Sequence, residues 1–294
     1  RKYFQSNRVS FMLKRLKNEV VHSVWAMWHQ MQEGDFVQTY TEKGFRGNDK
    51  EWESMCIPFG EDAKICLNGV IDRVDLCSLP GEELIKIIDY KSSDSQDLLL
   101  AKVYYGLQMQ LLTYLEAAKE MVEKEHKGKE AVPAAMLYYA IKEKNLDWKP
   151  ESEEEYEKRV LDSMKCKGYV NEEPEIIGHL DKSVVNGGEL IPGQKSGVVP
   201  VAVDKKGLLK KNSGALSTKD FETLIAHTKE KMKECGKAIL DGKIEAIPYV
   251  YEDNDGCTYC PYGSVCGYES KKDGVREMKK MSDDEVWEAL YGDD

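Results

Sequence analysis

The sequence predicts an α/β fold, on three observations. Apolar residues recur at helical spacing over 9–31, 97–125 and 217–242, and short alternating runs stand between the first two of these stretches. A turn signal, Ser-Leu-Pro-Gly-Glu-Glu at 78–83, joins two of those runs into an expected hairpin. At 294 residues and 41% apolar content the chain can bury a full core, as one large domain or two modest ones.

In the first helix Val9, Leu13, Leu16, Val20, Val24, Met27 and Met31 form one stripe expected to be buried, and Gly34 marks its end. Residues 35–45 and 51–60 read as short strands, followed by longer ones at 64–77 and 83–92. Residues 97–125 predict one long helix, and 131–143 a core strand. The polar stretch 143–216 reads as an insertion with a helix at 153–165 and several Gly-rich segments. Ser217 and Asp220 form a capping-box signal for a helix reaching about 242, whose stripe (Phe221, Leu224, Ile225, Thr228, Met232, Cys235, Ile239) puts Cys235 in the core. A cysteine segment at 257–266 and an acidic tail at 269–294 close the chain, and Ser282 and Glu285 are placed to cap a short helix carrying Trp287 and Leu290. The expected organisation is thus an N-terminal helical segment, 1–34, leading into one domain, 35–294. With no initiator Met and a helical pattern already under way, the chain reads as a fragment of a longer protein.

A formal charge of −11 argues against a general basic coat for nucleic acid, which needs concentrated Lys and Arg. Lys205, Lys206, Lys210 and Lys211 make one local patch, either a track for a DNA backbone or a solvated loop. No apolar run approaches the roughly 20 residues that span a bilayer and the start lacks a secretory apolar block, so the expected compartment is the cytoplasm, with no membrane partner. Eight cysteines are too few for a disulfide scaffold, and bridges are not expected in a reducing compartment. Residues 187–197 superficially resemble a phosphate-binding loop, but Gln194 interrupts the Gly-Lys-Ser order and no strand clearly leads in.

The stretch Asn-Gly-Val-Ile-Asp-Arg-Val-Asp, 68–75, places three charges inside an otherwise apolar strand, where charges persist only when paired or bound to metal. Strand alternation puts Asp89 and Lys91 on one face, with Asp72 across the hairpin. Two carboxylates beside a lysine suit phosphodiester hydrolysis. The carboxylates hold a hard divalent ion that polarises the phosphate and acidifies water, and the lysine orients that water or offsets developing charge. A structural ion pair is the commoner explanation for Asp-x-Lys alone. Arg73 and Asp75, on the opposite face, are expected to pair with each other. Gln110 and Tyr114, four apart, share a helix face and could reach the same site, or could instead serve packing and capping. Cys257, Cys260 and Cys266 have metal-site spacing, yet three thiolates complete neither a zinc site nor an iron–sulfur cluster, and a redox pair of the first two is the weaker alternative.

Taken together, Gly-Val-Ile-Asp-Arg-Val-Asp (69–75), Ile-Ile-Asp-Tyr-Lys-Ser-Ser (87–93) and Tyr-Tyr-Gly-Leu-Gln-Met-Gln-Leu-Leu-Thr-Tyr-Leu (104–115) resemble the motifs of the RecB-like branch of the PD-(D/E)xK nucleases. The likeness is nearest to the AddB-type C-terminal nuclease domains of bacterial AddAB helicase-nucleases. It covers most of the chain outside the insertion, since 7–28, 131–141 and the closing cysteines also follow that family's order. The resemblance implies a restriction-endonuclease-like core with a central mixed sheet flanked by helices. It implies metal ligands at Asp72, Asp89 and the Tyr90 backbone carbonyl, a catalytic lysine at Lys91, and supporting roles for Gln110 and Tyr114. Glu42 matches an acidic position that assists the metal. The ion implied is Mg2+, with Mn2+ or Ca2+ also accepted.

The resemblance further implies a 4Fe-4S cluster held by Cys257, Cys260 and Cys266 with a fourth cysteine upstream, which this chain does not supply at the family position. The family's metal-binding histidine is also unmatched, and neither His22 nor His29 takes its place. The function implied is that of a metal-dependent DNA exonuclease domain for double-strand-break processing in recombinational repair, as a heterodimer with an AddA-type helicase subunit. The alternatives are a DNA-binding or scaffolding module with merely structural carboxylates, and a zinc-stapled interaction domain.

Overall fold

The computed structural model describes residues 6–47, 52–60, 63–92, 97–141, 152–269 and 274–292. The helical period at the start forms α1 (Asn7–Gln32), but the stripe is not buried as expected. Leu13, Leu16, Val20 and Val24 are 45–56% exposed, while Ser23 and Ala26 are buried. Periodicity reports that a helix is amphipathic without saying what covers it. Here only the last turns of α1 meet the sheet. The Tyr139 hydroxyl donates to the Ser23 carbonyl at 3.0 Å, and Gln30 Nε2 donates to the Met164 carbonyl at 3.1 Å.

The strands follow as β1 (Val37–Phe45), β2 (Met55–Phe59), β3 (Ala63–Leu67), β4 (Gly69–Leu79) and β5 (Glu82–Lys91). β4 and β5 form the expected antiparallel hairpin, and Gly81 takes the φ of +84° that the tight turn requires. The single helix expected over 97–125 is two helices, α2 (Leu100–Tyr104) and α3 (Gln110–Glu125). Gly106, at φ +76°, lies between them in the left-handed region that ends a helix, so the apolar period outlasts the helix itself.

α3 buries Leu111, Leu112, Leu115, Ala118, Met121 and Val122 and packs on β5 and on β6 (Glu130–Ala140). β5 and β6 are parallel, so α3 is their crossover and begins beside the carboxyl end of β5.

The stretch 143–216 is more integral than an insertion. Its first residues, 143–151, lie outside the described ones, and then come α4 (Glu153–Ser163), β7 (Lys167–Asn171), α5 (Pro174–Leu180), β8 (Val185–Asn186), β9 (Glu189–Leu190) and β10 (Ala215–Leu216). β7 and β10 complete a six-stranded mixed sheet of order β1-β4-β5-β6-β7-β10. Val160, Met164, Val170, Ile177, Val184 and Val201 join its core. Apolar residues spaced among Lys, Glu and Gly fill that core while leaving the average composition polar. The Gly187–Gly188 turn joins two short strands, without the strand-to-helix step of a phosphate-binding loop.

The remaining elements are α6 (Thr218–Leu240), β11 (Tyr249–Tyr251), β12 (Asn254–Asp255), α7 (Gly263–Cys266), β13 (Arg276–Glu277) and α8 (Asp283–Tyr291). Cys235 is exposed, a correction to its expected place in the core, because the buried face of α6 (Phe221, Leu224, Ile225, Thr228, Met232) continues at Gly236, beside the Phe59 ring, and leaves position 235 off it. Ser282 and Glu285 form the expected capping box of α8, and the tail residues 270–273 and 293–294 lie outside the described ones.

The chain divides into two compact units: Arg1–Met55, Leu67–Leu98 and Gln110–Glu222 form one, and Cys56–Cys66, Leu99–Met109 and Thr223–Asp294 the other. The expected boundary at residue 34 has no counterpart, since α1 packs on the sheet of the first unit. In the second unit Cys56 and Cys66 form a disulfide, where no bridge was expected. They lie on the paired strands β2 and β3 with Cα atoms 4.1 Å apart, a proximity that sequence spacing does not display. Among the described residues no helix is long and apolar enough to cross a membrane.

Candidate active site

The hairpin register carries the site. Arg73 pairs with Ile88, so one step further Asp72 stands opposite Asp89, and both side chains leave the same sheet face. Asp72 is half-buried and its Oδ2 accepts the Tyr90 backbone N–H at 2.8 Å. In a strand the N–H and C=O of one residue point to the same neighbour, so the Tyr90 carbonyl also faces Asp72.

Asp89 is 3% exposed. Its Oδ2 is ion-paired with Lys91 Nζ at 2.6 Å. Burial, with the Asp72 charge adding to it, pushes the Asp89 carboxyl above its usual range, although the Lys91 ammonium acts against both. A raised folded-state pKa adds stability below the unfolded carboxylate pKa, and that stability is lost as pH rises through the folded value. The charged form of Asp89 is therefore the disfavoured one in the fold, and a bound cation would relieve that cost. Asp89→Asn is expected to unfold at a higher temperature than the parent in EDTA, and an equal or lower midpoint would show that the carboxylate is satisfied without an ion.

Lys91 Nζ donates to Gln110 Oε1 at 3.1 Å, and Gln110 Nε2 donates to the Tyr114 hydroxyl at 3.0 Å. Asp89, Lys91, Gln110 and Tyr114 thus form one linked chain of side chains, and Asp72 stands opposite Asp89 on the neighbouring strand. Two residues near it escaped the sequence reading. Tyr138 on β6 pairs with Asp89, its ring lies 5.0 Å from Lys91 Nζ, and its hydroxyl is pushed up to about 12 by burial and by Asp89 and Tyr114. Lys86 on β5 joins the expected Arg73–Asp75 pair on the other face, with Nζ 2.9 Å from Asp75 Oδ2. Both follow from register, the signal that would have found them.

Glu42 falls between Thr41 and Lys43, whose partners flank Asp72, so it stands beside Asp72 on β1. It is exposed and adopts φ +47°, a strained conformation for a side-chain-bearing residue. Among the described residues no three His, Cys, Asp or Glu side chains gather closely enough to hold a metal ion, so Glu42 does not close on the carboxylate pair. The donor set present is two carboxylates, one of them buried and paired with the Lys91 ammonium, and a carbonyl. That set suits Mg2+, which commonly takes one or two carboxylates and leaves its other positions to water and phosphate.

The cysteine segment is organised locally. Asp255 Oδ1 accepts the N–H groups of Cys257 and Thr258 at 2.9 and 2.6 Å, and α7 carries Cys266. The three thiols are exposed. Slight desolvation, then Asp255, Cys260 and Cys266, push the Cys257 thiol up, so the sulfurs sense one another without forming a ligand group. Three thiols with no fourth do not fit a 4Fe-4S cluster by themselves. Lys205, Lys206, Lys210 and Lys211 are exposed in the loop before β10, and His29 packs against Trp25 and Trp28 away from any site.

The chain is 32% identical over 288 residues to a subunit of the ATP-dependent helicase/deoxyribonuclease of Thermoanaerobacter sp. (strain X514), covering 97% of this chain and 24% of that protein. It is 34% identical over 271 residues to the protein of the same name from Caldanaerobacter subterraneus subsp. tengcongensis, covering 92% of this chain and 22% of the relative. The like-named Clostridium botulinum (strain Loch Maree / Type A3) protein is 32% identical over 292 residues, covering 97% and 24%. The chain therefore spans about a quarter of the length of the relatives it matches. The family model of the PD-(D/E)XK nuclease superfamily matches residues 2–267, a range that includes both carboxylates, the lysine and every strand of the mixed sheet. On this agreement of sheet, carboxylate pair and sequence, the chain belongs to the PD-(D/E)XK nuclease superfamily.

Proposed function

We propose that this chain is the DNA-hydrolysing domain of a helicase-nuclease, a metal-dependent exonuclease that trims double-strand breaks for recombinational repair. The observation that carries the reading is the linked chain Asp89, Lys91, Gln110 and Tyr114 at the carboxyl end of β5, with Asp72 opposite Asp89. Asp72, Asp89 and the Tyr90 carbonyl would hold Mg2+, or Mn2+ or Ca2+ in its place, with Glu42 as a nearby assisting carboxylate. Such an ion supplies Lewis-acid polarisation of a phosphodiester oxygen and lowers the pKa of adjacent water. Lys91 places a fixed positive charge where negative charge develops on the phosphate, Gln110 holds its ammonium, and Tyr114 holds Gln110.

The relatives are subunits of an ATP-dependent helicase/deoxyribonuclease, which supports a partner that supplies ATP-driven unwinding; we take that partner to be an AddA-type subunit and the compartment to be the cytoplasm. Cys257, Cys260 and Cys266 would furnish three ligands of a 4Fe-4S cluster completed by a cysteine elsewhere in a longer protein.

Incubation with end-labelled single-stranded DNA tests the reading. Short products are expected with Mg2+ or Mn2+ and none in excess EDTA. Intact DNA with both ions, for this chain and for a longer subunit combined with its helicase partner, would overturn it.

A further inference from the structure

β7 carries a basic residue into the same row as the carboxylates. Asp89 on β5 pairs with Tyr138 on β6, and Tyr138 pairs with Lys167 on β7, so the three side chains leave one face of the sheet. Two strand spacings separate Asp89 from Lys167, about 10 Å. Lys167 also lines a cleft of about 300 Å³ with Lys165, Lys195, Asn212, Ser213 and one carboxylate, Asp162, all within the first unit. Lys210 and Lys211 immediately precede Asn212 in sequence.

Lys165 is built into this cleft. It is half-buried and its Nζ donates to the Ser196 carbonyl at 2.7 Å. Burial and then the charge of Lys195 pull its ammonium down to about 8, against the opposing pull of Asp162 and Asp181. Two cations held near each other in a partly dry cleft repel, and an anion between them removes that repulsion. Asp97 sits 2.7 Å from Lys167 Nζ, but its side chain is 64% exposed, so this ion pair is weak and open to exchange for a phosphate.

We propose that Lys165, Lys167 and Lys195 form a subsite for a phosphodiester group of single-stranded DNA, aligned with the carboxylate site along the Asp89–Tyr138–Lys167 row. The assignment rests on the nuclease reading for its ligand. It moves backbone contact from the exposed Lys205 and Lys206 to a cleft in which Lys165 is anchored on the Ser196 carbonyl.

Fluorescence anisotropy of a labelled oligothymidine in Ca2+ measures binding without requiring turnover, so it stays informative even if the nuclease reading fails. Lys195→Glu, a change on an exposed side chain, and the double variant Lys165→Gln/Lys195→Gln are expected to weaken binding at least about 10-fold at moderate salt. The double variant should lower the slope of log affinity against log salt by about 0.7, for one lost phosphate contact on a single strand. Lys205→Gln/Lys206→Gln should change affinity less than about twofold. Equal losses in the two double variants, or unchanged affinity in Lys195→Glu with its melting temperature preserved, would overturn the subsite. Cleavage of a small aryl phosphodiester, which is too short to reach the cleft, should be unchanged in Lys195→Glu while KM for the oligonucleotide rises. A parent chain that cleaves neither substrate yet shows the anisotropy pattern would count against the nuclease reading and for the subsite.

Discussion

Asp89→Ala is expected to abolish DNA hydrolysis and, with it, the stabilisation that Mg2+, Mn2+ or Ca2+ confers on the fold, whereas Lys91→Ala should lose only the first. Asp89 contributes the buried carboxylate beside Lys91, and its removal takes away half of the carboxylate pair. Lys91 is not a metal ligand. It lies 2.6 Å from Asp89 and bonds Gln110, at the carboxyl end of the interior strand β5, where its side chain is 21% exposed. Loss of one preorganised charge facing the transition state costs about 10²–10³ in rate. Thermal unfolding with and without each ion, beside product release from end-labelled DNA, separates the two variants. A metal-induced rise in melting temperature that persists in Asp89→Ala would move the ion away from this carboxylate. A Lys91→Ala chain of full activity would make the lysine merely structural.

Asp75→Ala is expected to destabilise the first unit by about 3–5 kcal/mol, because it leaves two buried cations without their anion. Asp75 is fully buried, and its carboxylate takes Arg73 Nε and Nη2 at 2.6 and 2.8 Å and Lys86 Nζ at 2.9 Å. Burial alone would raise the Asp75 pKa, but Lys86 and Arg73 outweigh it and hold the carboxyl below the usual range. A depressed folded-state pKa adds stability above the unfolded value, near 3.9, and that stability is lost as pH falls through the folded value. Urea titrations at pH 7 should show the loss in full and titrations in acid a smaller one. The triple change Arg73→Met, Asp75→Leu and Lys86→Met should recover most of it, since apolar groups of similar volume replace a buried ion cluster at little cost. If Asp75→Ala shifts the midpoint no more than a surface substitution does, water reaches the cluster.

Much of the site was legible because its residues lie close together in sequence. The hairpin turn at 80–81 sets Asp72 against Asp89, alternation sets Lys91 beside Asp89, and the four-residue step sets Gln110 beside Tyr114. The same register would have added Lys86 to Asp75, had the pairing been carried one face over. Tyr138 and Lys167 were not legible, because parallel pairing across α3 and the later antiparallel return of β7 are choices made between distant segments. The long helix at 97–125 was misread for the opposite reason, since apolar spacing continued through a glycine whose backbone had left the helix.

The sequence by itself determined the α/β class, the hairpin and the carboxylate–lysine motif, all set by patterns of two to four residues in which local geometry leaves little freedom. Tertiary structure alone decided that 143–216 completes the sheet, that most of the α1 stripe stays exposed, and that Lys165, Lys167 and Lys195 share a cleft. Those outcomes depend on which distant surfaces bury one another, a competition of burial and loop closure over the whole chain that no local period encodes.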